Sequence, residues 1–223
     1  MFDESTKIAL FAVFIGAWFF NLTAEQLAPR AELATAVESA RLPPVPPRAM
    51  PDGSPAQERV AATRVALGDG FEAKLLTSYV LEGRVVTRRE FRHDRTSAIS
   101  PLDLGIVWGD LAEPGGVDGI EFRTAPRAIW FSRTSDAEMP ANWKDQVTNN
   151  HLIPANQAVN DALMAIDVGA HVRIRGYLVV VTGNRISPWR SSTRRDDGSI
   201  VGGCEIILVT DVEVLRGTRT AAL

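Results

Sequence analysis

The chain has 223 residues, 45% of them hydrophobic, and a formal net charge of −3. That is room for one globular domain with a real core plus extra segments, and a pI near 5.7 argues against a general nucleic-acid coat. A single cysteine excludes an intrachain disulfide framework. The histidines at 93, 151 and 171 lack metal-ligand spacing, so neither a metal nor a cofactor is expected.

A short tail, residues 1–7, precedes the apolar run IALFAVFIGAWFFNL. No charge interrupts it from Ile8 to Ala24, about 17 residues, the short end of what crosses a bilayer. A cleaved signal peptide is the alternative. Two acids in MFDESTK and the aromatic group Trp18, Phe19 and Phe20 favour an uncleaved anchor. The expected arrangement is a single inner-membrane span over residues 8–24, N-terminus inside. The rest of the chain then lies in the periplasm of a bacterial cell, and the lipid bilayer is the first partner.

Residues 25–42 follow as a stalk helix opening near Pro29. Residues 43–58 contain PPVPPRAMPDGSP and read as an extended, semi-rigid linker. A mainly β domain, residues 59–220, takes the remainder. LTSYVLEGRVVTRREF (76–91) alternates as a long strand with Gly83 inside it. SPLDLGIVWG (100–109) and PRAIWFSR (126–133) are the next two strands. Asp103, between two leucines, reads as a buried carboxylate with a structural partner. Asn156 caps a helix carrying Val159, Leu163 and Ile166 at helical spacing. HVRIRGYLVVVTG (171–183), with Gly176 at a bend, and CEIILVTDVEVL (204–215) close the series.

This β-β-β-α-β-β order resembles the OB-fold, a small Greek-key barrel, although other small barrels produce the same string. The resemblance implies ligand contacts on the barrel face beside two connections. The first is RHDRTSAISP (92–101), with Arg92 and Arg95. The second is the segment around RSSTRRDDGSIVGGCE (190–205), with Trp189, Arg190, Arg194 and Arg195. Arginines beside an aromatic plane hold anionic groups or rings. Outside the cytoplasm an anionic glycan, a lipid headgroup or an envelope protein fits better than nucleic acid, which requires the opposite topology. The bland alternative is a solvated loop whose arginines pair with Asp196 and Asp197.

A second class of function is an enzyme. An N-terminal anchor, a small barrel, then His151, Cys204 and Arg216 in that order resemble a sortase. The resemblance implies Cys204 as nucleophile, His151 as acid–base and Arg216 as oxyanion stabiliser. Two features depart from it: Cys204 follows Gly202-Gly203 and begins a strand, and Arg216 closes that same strand. Cys204 also alternates with Ile206 and Leu208, as a core residue does. SPLDL, VWG, HLIPAN, the run from Trp189 to Arg195 and the Cys204-Glu205 pair together resemble an uncharacterised group of bacterial single-pass membrane proteins. That likeness implies a bacterial origin and no mechanism.

Overall fold

The computed structural model describes residue 37 and residues 40–134, 139–183, 186–193 and 204–215. The expected span at 8–24, most of the stalk, Arg194, Arg195 and Arg216 lie outside the described residues. Among the described residues no helix is long and apolar enough to cross a membrane.

The domain is mainly β. Its strands are β1 (Ala56–Arg59), β2 (Arg64–Gly68), β3 (Phe71–Glu90), β4 (Leu102–Val107), β5 (Ile120–Ala125), β6 (Ala128–Arg133), β7 (Val147–Pro154), β8 (His171–Gly183), β9 (Trp189–Arg190) and β10 (Cys204–Leu215). Among the described residues of the domain one α-helix, α1 (Gln157–Met164), lies between β7 and β8. β3 is long enough to pair with β8 along its first two thirds and with β4 along its last third. The pairings therefore run in a ring, β3-β4-β7-β10-β8 and back to β3, with β7 and β10 parallel and the rest antiparallel.

Alternation sorts each ring strand into two faces. Leu102, Leu104 and Ile106 of β4, Leu152 of β7, Ile207 and Val209 of β10 and Leu178 of β8 meet in one cluster inside the ring. α1 covers it with Val159 and Leu163, and the Asn156 side chain accepts a hydrogen bond from the Val159 amide at 2.9 Å. Residues one step out of phase, Ile153, Ile206, Leu208, Tyr177 and Val179, form a second cluster on the outer face.

The third ring strand differs from the one expected. PRAIWFSR forms a separate hairpin, β5 with β6, whose Phe122, Ile129 and Phe131 pack over Val107 and Val147. The ring strand is β7, which carries His151 and was not among the strands expected from the sequence. The reason is burial on both faces. All eight residues of β7 are buried, so its asparagines and histidine sit in polar contacts rather than in solvent.

The proline-rich segment also behaves differently from a free spacer. Val37, Ala40, Leu42 and Val45 pack against the second cluster, and the Tyr177 hydroxyl donates to the Pro43 carbonyl. The Ala49 amide donates to Glu82 at 3.1 Å. Proline keeps this stretch extended, and its few apolar side chains find a ready apolar face. It is laid along the barrel.

Candidate functional site

Between the two apolar regions of the outer face runs a buried polar strip. Register sets it: Asp103 of β4 stands opposite His151 of β7, and Asn149 of β7 lies between Gly105 of β4 and Cys204 of β10. Cys204 and His151 thus share one face, two positions apart on adjacent strands, with Cα atoms about 8 Å apart by sheet spacing. Two of the three sequence candidates for catalysis are brought together, with Asp103 and Asn149 added.

The strip is roofed by its own chain. Pro126 and Arg127 form the tip of the β5–β6 hairpin, and Arg127 takes a φ of 54°, a conformation costly for any residue with a side chain. Its guanidinium fills the space over Asp103. Nε and Nη2 bond the two carboxylate oxygens of Asp94, at 2.8 and 2.9 Å. Nη1 bonds Asp103 at 2.9 Å and the Ser100 hydroxyl at 3.3 Å, and Nη2 also bonds the Ser100 carbonyl. That engages the donor capacity of the side chain. The guanidinium also lies 3.8 Å over the Phe91 ring and 5.7 Å from that of Trp189.

His151 is 2% exposed. Its Nδ1 lies 2.9 Å from Asp103 Oδ1 but off the line of the ring N–H, so the pair is in electrostatic contact without an aligned hydrogen bond. Trp189 covers it from outside, ring centroids 4.9 Å apart. Trp189, expected as a free stacking plane, is half-buried on this histidine and on the second cluster.

Burial pushes the Cys204 thiol up to about 11; a hydrogen bond from the Asn149 side chain works the other way, and the charges of Asp103 and Glu205 add to the rise. Its Sγ lies 4.0 Å from the Arg127 carbonyl oxygen. At neutral pH the sulfur is therefore a protonated thiol, the unreactive form. On the other face of β10, Glu205 accepts a hydrogen bond from Ser191 Oγ, which in turn accepts one from the Ile206 amide. This ties the β8–β10 connection down at its β9 end.

The remaining binding candidates lie apart from the strip. Arg92 is exposed and bonds Glu90 at 3.3 Å. Arg95 lies in the same β3–β4 connection, one residue from Asp94. Arg190 lines an open depression of about 410 Å³ with Gln57 and Arg59 of β1, Leu76 and Thr77 of β3, and Thr193. Neither Arg59 nor Arg190 has an ion pair among the described residues. Sequence reasoning singled out Arg190 but missed Arg59, which sat at the margin of the expected linker, and it missed Arg127, which no local pattern marks. Asp103 was the one signal for Arg127, since a buried carboxylate demands a partner.

Among the described residues no group of three or more His, Cys, Asp or Glu side chains is placed to hold a metal ion. No family model, curated protein or solved structure matches this chain.

Proposed function

We propose that the domain is an OB-type barrel acting as a binding or assembly module, held at the bacterial inner membrane by residues 8–24, with the barrel in the periplasm. The ring order, the parallel pairing of its third and fifth strands and the helix between its third and fourth support the OB reading. On that reading the usual ligand face is the outer side of β4 and β7, flanked by the β3–β4 and β8–β10 connections. Here Arg127 and Trp189 occupy it. The surface left for a partner is the neighbouring depression around Arg190.

One observation carries this reading: the contrast between two arginines. Arg127 has its donors engaged within its own chain, while Arg190 is exposed and free of ion pairs among the described residues. A cation that is held in a β-strand yet unpaired is available to an external anion. A photo-crosslinking residue at Thr193 tests this in cells producing the full chain. Discrete adducts are expected from Thr193, unchanged by Cys204→Ser, and none from Val168, exposed beyond α1. No adduct from Thr193, or adducts lost with Cys204→Ser, would contradict it.

A second reading, acyl transfer by a Cys204 thiolate with His151 as acid–base, has one observation in its favour. Asp103 Oδ1 lies 2.9 Å from His151 Nδ1, the ring nitrogen that faces the acid in such a triad, although without the aligned hydrogen bond. On that reading the half-buried Cys204 thiol would act beside the Arg127 hairpin tip, whose carbonyl oxygen lies 4.0 Å from Sγ.

A further inference from the structure

We infer that the depression between β1, β3 and β9 is a binding site for a phosphate ester, a deeper version of the binding reading on which it rests. Its lining is cationic and rich in donors. Arg59 and Arg190 supply two guanidinium groups, Thr193 a hydroxyl and Gln57 an amide; among the described residues no carboxylate lines it. Glu58, between Gln57 and Arg59, alternates to the opposite side of β1. A carboxylate has too few acceptor sites for this donor set, whereas a phosphate presents three or more oxygens that two arginine forks and a flanking hydroxyl can share.

Backbone geometry shows the site to be built rather than incidental. Arg59 stands opposite Thr77 across the β1–β3 pair. At that point β3 carries a bulge: Leu75 pairs with Val179 and Thr77 with Leu178, leaving Leu76 unpaired. Bulges re-aim side chains beside sites, and both Leu76 and Thr77 line the depression. Thr77 is 8% exposed, and its Oγ1 has no hydrogen-bond partner in the structure. Arg190 reaches the site because β9 pairs with β8 at Val180 and Val181.

The size narrows the ligand. At about 410 Å³ the space exceeds a bare phosphate and suits a phosphate with its ester substituent. A lipid headgroup and a soluble phosphate ester share that chemistry.

The test follows the Arg59 and Arg190 Nε–H resonances of the full chain in nonionic detergent. The probes are inorganic phosphate, glycerol phosphate and short-chain phosphatidic acid, with chloride at matched ionic strength as control. Saturable shifts at both arginines are expected with the phosphates and none with chloride. Tighter binding of the lipid assigns a headgroup, and tighter binding of glycerol phosphate a soluble ester. Arg59→Ala with Arg190→Ala should weaken binding by about tenfold or more, in chains that keep the parent circular dichroism. The absence of saturable shifts, or a double variant that titrates like the parent, overturns the inference. If Thr193 still crosslinks while no phosphate titrates, the phosphate assignment fails and the binding reading stands. If both are lost, both fail.

Discussion

Replacing Arg127 by glycine is expected to destabilise the domain by about 3 kcal/mol, seen as a fall of about 10 °C in the thermal midpoint. The substitution is chosen because glycine accepts the φ of 54° that Arg127 adopts. Backbone strain is relieved, so the measured loss understates what the side chain contributes. What remains is Asp103, 3% exposed, facing His151 with its cation gone. A buried charge stripped of its partner costs more than the pair was worth. Asp94 and the Ser100 carbonyl lose their donor as well. Adding Asp103→Asn to Arg127→Gly should restore part of the stability, because the uncompensated charge disappears. A midpoint within about 2 °C of the parent for Arg127→Gly would show that the strip does not depend on its roof.

The second large effect belongs to Gly176. A Cβ there would stand 2.0 Å from the Leu208 carbonyl oxygen and 3.1 Å from Val209 Cα, both backbone atoms of the neighbouring strand. Gly176 is flanked on one side by Val209 and on the other by Tyr79, where β8 is held between β10 and β3. The pairing with β10 shifts register immediately beyond Val209. No rotamer relieves a clash with main chain, so β8 and β10 must part. Gly176→Ala should therefore cost about 3 kcal/mol, the upper end of what overpacking costs, measured by denaturant unfolding. Gly83, whose added Cβ would meet the Val107 carbonyl oxygen at 2.2 Å, is expected to behave alike. A stability unchanged from the parent would mean that the strands approach less closely at these points.

Both glycines were legible in the sequence, because an isolated glycine inside a strongly alternating run marks a bulge, a bend or a close backbone approach. The long β3, β4, β8 and β10 were legible for a related reason. Each has one face against the interior of the ring, and alternation records that directly. β7 was not, since VTNNHLIP buries both faces and places Asn149 and His151 where alternation calls for apolar residues. Its polarity makes sense only beside Arg127, whose contact with Asp103 spans 24 residues of sequence. Local pattern reading does not reach that far. The hairpin strand β6 was recognised as a strand but given the wrong place, because aromatic and branched residues mark a strand without naming its partner.

The site candidates divide along the same line. Cys204 and His151 were selected by residue type, and the fold does bring them to one face. Residue type alone could not show that Trp189 and Arg127 cover that face, nor that the thiol is held protonated. Arg190 was selected from a basic, aromatic stretch. Its neighbours around the depression, Arg59 and Thr77, come from strands whose meeting with β9 depends on the closed ring.

If the Cys204 thiol is held protonated and the domain works by binding, alkylation of Cys204 in the native full chain, followed against pH, is the most direct test. A thiol pushed up to about 11 stays protonated through neutral pH and ionises only as pH rises toward that value, so its reactivity should climb near pH 11. An ordinary thiol climbs near about 8.5. Labelling at neutral pH should be slow, with a midpoint far above the ordinary one, and faster in Arg127→Gly. Rapid labelling at neutral pH, with a midpoint below about 8.5, would contradict a protonated, unreactive thiol and move thiol catalysis by Cys204 and His151 to first place.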